Sequence, residues 1–445
     1  MLRKATMTDK VVYRNIGKPD SETLQGYTSS GGYQVLEKVV RKGSPSQVIK
    51  EIKESGLRGC GGAGFPTGIK WEFVAQASGA PKYVVCNADE GEPGTFKDRI
   101  VLEQDPHLLI EGIAIAGFAT SAEAGYIYVR GEYALAWKRL QQALGEAYEH
   151  NILGNDIFGS QANFHVRLRR GAGSYICGEE TALIESLEGK RGIPRLRPPY
   201  PTTHGLWGQP TLVNNVETLA RVPTIMEKGA EWYRHLGRGD AAGTKVYCLS
   251  GHVVEPGAYE LPMGATAREL IYNCGMGIRE NRELKAFSPG GLSSGVLPAE
   301  MVDIPLDYDS LAKAGSMLGS GAMIVMDNSS CMVDIALRAA RFFAHESCGE
   351  CTPCRIGTMR IAQLLTKISN GYGSWGDVQT LQELAERMCI DSRCGLGQAA
   401  PLPFLTSLTH FREDFRIHIE EKKCPSGVCS ISPTVVPYCP EEVTI

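Results

Sequence analysis

The chain has 445 residues with 43% hydrophobic and 22% charged positions, enough for about two to four domains with buried cores. A formal net charge of −4 without a basic tract argues against nucleic-acid binding, and no apolar run approaches the roughly 20 residues of a membrane-crossing helix. The polar amino terminus, "MLRKATMTDKVVYRNIGKPDSE", has no secretory apolar core. A cytoplasmic location is therefore expected, and in a reducing compartment the fourteen cysteines read as metal ligands before disulfides.

In chain order, "SPSQVIKEIKESG" puts Val48, Ile49 and Ile52 on one face behind Ser44 as an N-cap, which predicts a short helix. The next stretch, "GLRGCGGAGFPTGIKW" (56–71), carries six glycines, and Gly59, Gly61 and Gly64 satisfy G-x-G-x-x-G. A dinucleotide fingerprint of that spelling follows a strand. Here the loop joins two helices, the second opening near Pro66, so it reads as a cradle of backbone N–H groups for an anion or ring. The β-rich runs 82–90 and 125–133, and the segment 163–189 that turns from strand into glycine-rich helix start, predict an α/β layer around a largely parallel sheet. Functional loops should lie at strand carboxyl ends. The proline-rich stretch 192–211 should wrap that layer without regular structure.

From about Thr244 two β-rich runs split at Glu255-Pro256-Gly257 and precede a helix from Thr266 to Cys274, the opening of a small α+β domain of ubiquitin-like kind. The remainder is helical. Val333, Leu337, Ala340 and Ala344 recur at helical steps; Asp377 is expected to cap a helix bearing Val378, Leu381, Leu384 and Met388; Phe404, Leu408, Phe411 and Phe415 stripe one final helix. The expected division is 1–239, 240–327, 328–421 as a bundle, and a cysteine-containing tail, 422–445.

"ESCGECTPCRIG" sets Cys348, Cys351 and Cys354 at C-x2-C-x2-C spacing, which suits three corners of a cubane cluster better than zinc. Cys394, among glycines in "DSRCGLGQAA", is favoured over Cys389 as the fourth ligand. His418, Cys424, Cys429 and Cys439 form a second group, read either as a tetrahedral zinc site or as a tail without metal. "CNADEGEPGTFKDR" and "YICGEET" place Asn87, Asp89, Glu90 and Glu92, and then Glu179 and Glu180, in turns beside the glycine cradle. Singly these are caps; together they can bind ribose and ribityl hydroxyls, with Lys70 offsetting their charge. Asn214, Asn215 and Thr218 in "NNVET" can serve a heteroaromatic edge or only their own turn.

These motifs, "RGxGGAGFPTGxKW", "CNADExEPGTFKDR", "GAGxYICGEETALIxSLEG", "NNVET" and "ESCGxCTPCR", resemble the NADH-oxidising flavoprotein subunit of respiratory complex I and its relatives in NAD-linked hydrogenases and formate dehydrogenases. The resemblance covers about residues 30 to 420 and implies a Rossmann-like FMN and NADH domain, a ubiquitin-like domain and a helical bundle with one [4Fe–4S] cluster. It assigns Gly61, Gly62, Lys70, Asn87, Asp89, Glu90, Gly178, Asn214, Asn215 and Thr218 to FMN. Phe65 and Phe73 match rings that stack on the NADH adenine, and Glu92, Glu179 and Glu180 match acidic residues near ribose and nicotinamide. Arg197 and Tyr200 stand where respiratory members often carry lysine and phenylalanine. Cys348, Cys351, Cys354 and Cys394 match the cluster ligands.

The implied activity is NADH:acceptor oxidoreduction, hydride passing to FMN and single electrons onward, with no side chain required as acid or base. The tail segment "KKCPSGVC" is similar to one preceding a ferredoxin-like domain in the hydrogenase- and formate-dehydrogenase-linked relatives. It favours such a complex, bifurcating or not, over a respiratory one. A thioredoxin-like [2Fe–2S] subunit is the expected partner of either. A non-catalytic assembly subunit is the alternative of another class.

Overall fold

The computed structural model describes residues 10–431. Among the described residues four helices precede the first strand: Leu24–Ser29 (α1), Gln34–Lys42 (α2), Pro45–Glu54 (α3) and Thr67–Gln76 (α4). Ser44 and Gln47 close a reciprocal capping box on α3, which buries Val48, Ile49 and Ile52. The glycine-rich loop joins α3 to α4, so its topology is helix to helix, as the sequence predicts.

Strands Tyr83–Ala88 (β1), Ala124–Val129 (β2), His165–Arg170 (β3) and Thr211–Asn215 (β4) form a wholly parallel sheet in the order β3-β2-β1-β4. Between them run Lys97–Gln104 (α5), Pro106–Thr120 (α6), Ala134–Glu149 (α7), Glu180–Leu187 (α8) and Pro201–His204 (α9), and after β4 come Val216–Lys228 (α10) and Ala230–His235 (α11). The apolar run that is too short for a membrane is α6, buried on nearly every face, as expected of a helix without a polar stripe. The chain steps outward from β1 to β2 to β3 and then returns to the other side of β1. That reversal leaves a crevice beyond the carboxyl ends of β1 and β4.

The second sheet is mixed: Thr244–Gly251 (β5), Gly257–Pro262 (β6), Leu284–Ser288 (β7), Leu297–Pro298 (β8) and Ala322–Asp327 (β9) lie in the order β6-β5-β9-β7-β8, with Tyr308–Lys313 (α12) before β9. β5 and β6 make the expected antiparallel hairpin. The helix expected from Thr266 to Cys274 is present over 267–274, its Glu269–Cys274 part wound as a wider π-helix, and it ends at Gly275, with Gly277 following at φ +86°.

Helices Met332–Glu346 (α13), Thr352–Ser369 (α14), Trp375–Asp391 (α15), Gly395–Ala399 (α16), Leu402–His410 (α17) and Arg412–Arg416 (α18), which runs on into a π-helical turn Ile417–Glu421, follow among the described residues. Two expectations are corrected. Ser374, not Asp377, caps α15; Asp377 is the reciprocal partner of its capping box. The terminal aromatic stripe belongs to two helices, because Phe411 leaves helical geometry at φ −129°. The bend buries Phe404, Leu408 and Phe415 and sends Phe411 beneath Lys285 of the second sheet, 5.9 Å from its ring centre.

A buried charge network joins the two sheets. Glu217 on α10 receives Arg221 at 2.6 Å, Lys245 of β5 at 2.7 Å and Lys97 at 3.2 Å, all at most 1% exposed. Burial raises the Glu217 carboxyl, but Lys245, Lys97 and Arg221 outweigh it and hold the group well below the carboxylate range. Nearby, Glu260 of β6 accepts the amides of Val11, Val12 and Tyr13 at 2.8–3.1 Å.

Candidate functional site

The crevice above β1 and β4 is lined by the glycine-rich loop, and its glycines serve close approach. The loop closes on itself through Gly59 N–H to Phe65 C=O and Thr67 N–H to Leu57 C=O, both 2.9 Å. It is pinned to α10, where the Thr218 hydroxyl accepts Cys60 N–H at 2.9 Å. A β-carbon on Gly61 would come within 2.9 Å of the Asn215 β-carbon, and one on Gly64, at φ +64°, would enter the Tyr308 ring at 2.4 Å. Gly62, at φ +145°, faces open space. Its conformation requires glycine.

The strand ends supply the polar groups. Asn87 donates to Gly178 C=O at 2.8 Å and accepts Asp89 N–H at 3.1 Å, tying β1 to the start of α8. Asp89 Oδ2 is buried without a hydrogen-bond partner among the described residues, and burial pushes its carboxyl up to about 7. Asn214 Oδ1 accepts the indole N–H of fully buried Trp71 at 2.8 Å. Asn215 caps α10 by accepting Glu217 N–H at 3.0 Å and donates to Asp98 at 2.6 Å. Lys70, from α4, reaches Glu180 at 2.6 Å, and Arg197 lies 3.4 Å from Glu180 and 4.0 Å from Glu179. Burial raises the Glu180 carboxyl, but Lys70 and then Arg197 bring it below its ordinary value.

Two acidic residues have other work besides. Glu90 is committed to the start of α5, accepting Asp98 N–H at 2.8 Å, Arg99 N–H at 3.0 Å and the Tyr133 hydroxyl at 2.9 Å. Glu179 caps α8 through Thr181 and Ala182 N–H, both at 2.9 Å. Phe65, Phe73 and Tyr200 are 48%, 49% and 55% exposed, unusually open for such rings. Glu92 is held by the Tyr175 hydroxyl at 2.7 Å and by Ser293 N–H at 2.8 Å. A β-carbon on Gly291 would come within 2.5 Å of Glu92, so the second sheet contributes one wall. Tyr175, Gly291 and Ser293 escape the sequence reading, although "SPGGLSSG" (288–295) is a second glycine-rich signal.

The expected cluster cysteines gather where two helix starts meet. Cys351 and Cys394 immediately precede α14 and α16, and Cys354 lies in the first turn of α14. Gly397 packs tightly here, since a β-carbon on it would lie 2.7 Å from that of Ser392 and 3.0 Å from that of Cys354. Burial pushes the Cys354 thiol up to about 11, as expected of a soft donor held in an apolar wall. The loop is joined to the crevice: Glu346, just before it, accepts Tyr175 N–H at 3.0 Å, and Arg191 donates to Cys348 C=O at 2.9 Å.

These residues fit the groups the resemblance implies. A loop without side chains at Gly61 and Gly62 can admit a planar ring and phosphate, and the orphaned Asp89 oxygen can receive a ribityl hydroxyl. Four thiols converging from two segments suit an iron–sulfur cluster. The carboxyl-terminal group is rearranged: His418, Cys424 and Cys429 meet Cys331, which the sequence reading overlooked. Cys439 lies outside the described residues. No helix among the described residues is long and apolar enough to cross a membrane.

Three family models match the chain: the Nuo51 FMN-binding domain over residues 52–224, the SLBB domain over 246–296, and the NADH-ubiquinone oxidoreductase-F iron–sulfur binding region over 334–418. The chain is 51% identical to an F-type chain of NADH-quinone oxidoreductase from Rhizobium meliloti, across 94% of this chain and 100% of that protein. It is 45% identical to NADP-reducing hydrogenase subunit HndC of Solidesulfovibrio fructosivorans, across 96% and 87%. Among solved structures, an NAD+-reducing [NiFe]-hydrogenase in the H2-reduced state superposes with a TM-score of 0.80 at 38% identity, covering 92% of this chain and 67% of that one. With an FMN-binding layer, an SLBB unit and an iron–sulfur region in this order, the chain belongs to the family of NADH-quinone oxidoreductase F-type flavoproteins.

Proposed function

We propose that this chain binds FMN and NADH in the crevice above β1 and β4, accepts the reducing equivalents of NADH there, and passes them singly toward partner subunits. The observation that carries this reading is the convergence of the Gly61–Gly62 loop, the Lys70–Glu180 pair and the ends of β1 and β4 on one crevice, beside a four-cysteine junction.

When bound, FMN supplies hydride acceptance and one-electron release, and a [4Fe–4S] cluster supplies the one-electron relay. The protein's work is placement and electrostatics. Gly61, Gly62, Asn87, Asp89, Gly178, Asn214, Asn215 and Thr218 would hold the flavin or the loop that seats it. Lys70 offsets the acidic groups, and Glu90 acts here through its hold on α5. Phe65 and Phe73 offer exposed faces for the adenine of NADH, with Tyr200 and Arg197 alongside; Glu92, Glu179 and Glu180 face its ribose and nicotinamide end. Cys348, Cys351, Cys354 and Cys394 would hold the cluster.

We read residues 1–239 as the Rossmann-like unit, 240–327 as a ubiquitin-like unit and 328–421 as the bundle, a division supported by the start of the second sheet at β5 and of the helices at α13. Relatives named as subunits support partner subunits, and a thioredoxin-like [2Fe–2S] protein among them is carried by the family resemblance alone. The hydrogenase-linked assignment draws on the likeness to HndC. Full-length coverage of the Rhizobium protein at higher identity favours a complex I-like assembly as the second reading.

The test is anaerobic reconstitution of the full chain with FMN, iron and sulfide. One flavin and four irons per chain, with NADH bleaching the flavin band and driving dye reduction, is the expected result. Colourless protein that reduces no dye would overturn the reading and leave an assembly role.

A further inference from the structure

We propose that the Ser347 and Ser392 hydroxyls donate hydrogen bonds to the cluster held by Cys348, Cys351, Cys354 and Cys394 and raise its reduction potential, so that it takes an electron from the flavin more readily. The inference rests on the proposed function, which assigns that cluster to the four-cysteine junction.

Ser347 stands where α13 ends and the cysteine loop begins. Its Oγ lies 3.2 Å from Cys354 Sγ, within hydrogen-bond reach of sulfur, and it accepts Gly349 N–H at 3.3 Å. These two contacts fix the direction of the hydroxyl. The amide occupies a lone pair of the oxygen and leaves its hydrogen free, and a thiolate that binds iron has no hydrogen to give. Ser347 O–H therefore donates to Cys354. Cys354 is 4% exposed, whereas Cys348 and Cys351 are half-buried. The donor thus serves the sulfur of this run that water reaches least.

Ser392 approaches from the other segment. It closes α15 two residues before Cys394 and is 4% exposed. Its Oγ is buried without a hydrogen-bond partner among the described residues, which is rare for a hydroxyl inside a protein. The surroundings locate the missing acceptor. A β-carbon built on Gly397 would lie 2.6 Å from Ser392 Oγ and 3.0 Å from the Cys354 β-carbon, so the hydroxyl and the cysteine border the same small space. A sulfur-rich cluster bound by Cys354 and Cys394 is the acceptor that the described residues do not provide.

The effect follows from charge. One-electron reduction adds negative charge that the cluster spreads over its sulfurs, and a donor aimed at sulfur stabilises the reduced form more than the oxidised one. Burial strengthens this preference, because water screens the interaction less. The electron comes from reduced flavin; no bond to iron forms or breaks, and no proton is transferred.

The test is a redox titration of the reconstituted full chain, with the reduced cluster read by electron paramagnetic resonance. Ser347→Ala and Ser392→Ala should each lower the cluster midpoint by about three- to tenfold in the reduction equilibrium, tenfold being about 59 mV for one electron. Iron content, flavin content and the flavin midpoint should stay at wild-type values. Ser347→Thr keeps the hydroxyl and should restore the cluster midpoint. The Ser392 side chain has no other partner to lose, so a shift in its alanine variant cannot come from a loosened loop. Unmoved midpoints in both alanine variants would overturn the inference, as would a Ser347→Ala shift that threonine does not reverse. In the unaltered chain in D2O, electron–nuclear double resonance should detect exchangeable deuterons coupled to the reduced cluster. Their absence would overturn the inference even where a variant fails to hold iron. A wild-type chain that assembles no four-iron cluster would overturn the proposed function and this inference with it, whereas an intact, NADH-reducible cluster with unmoved midpoints would overturn this inference alone.

Discussion

At the scale of single residues, the charge of Glu180 is set by its neighbours. Lys70 at 2.6 Å and Arg197 at 3.4 Å keep it ionised despite burial. If this carboxylate lies beside the flavin, its negative charge opposes electron gain, and Lys70 offsets only part of that. Glu180→Gln should therefore raise the midpoint potential of bound FMN by tens of millivolts, about 1–2 kcal/mol at an effective dielectric of about 20. A redox titration giving the wild-type potential would remove Glu180 from the flavin's surroundings. The glycine motif, the acidic turns and the Cys348, Cys351, Cys354 spacing are legible in the sequence because each is a local string. Ser293, Gly291 and Tyr175 are not, because their role depends on a contact across about 200 positions of chain, from Ser293 N–H to Glu92 at 2.8 Å.

At the scale of elements, the site depends on α10, which presents Glu217 and Thr218 from its first turn behind the Asn215 cap. Its position is set by α6, where a β-carbon on Gly112 would lie 2.1 Å from Leu219 C=O. Gly112→Ala must push the two helices apart, at a cost of about 1–3 kcal/mol. Calorimetry should show the lost stability and flavin titration a weaker affinity, because Thr218 and Asn215 move with the helix. Unchanged values of both would show that the interface relaxes without reaching the crevice. Helix periodicity predicts α3 and α13 well, since burial repeats along one face. It misplaces the cap of α15 and runs straight through Phe411, because caps and bends are decided by a few hydrogen bonds rather than by the repeat.

At the scale of the whole molecule, the first and second sheets are stapled by ionised Glu217 among Lys245, Lys97 and Arg221. Its folded-state acidity lies well below the unfolded value of about 4.3. The associated stability is therefore complete above that pH and is lost as pH falls toward the folded-state value. Glu217→Gln leaves buried Lys245 without its carboxylate, while Lys97 keeps Asp98 and Arg221 keeps Glu260, and should cost about 3 kcal/mol at neutral pH. The variant should also lose the wild-type steepening of acid unfolding, as read by denaturant titrations from neutral to acidic pH. Equal acid sensitivity in both proteins would assign the acid transition to other groups.

The sequence by itself determined the parallel layer, the hairpin that opens the second sheet, the helical end, and the close spacing of Cys348, Cys351 and Cys354. Each is encoded in short-range spacing that backbone geometry converts directly into a turn, strand or helix face. Only the tertiary structure decided that Cys331 joins the group of His418, Cys424 and Cys429, and that the second sheet walls one side of the crevice. Those pairings are long-range. Their geometry comes from how packed layers meet, a property that no local pattern of residues carries.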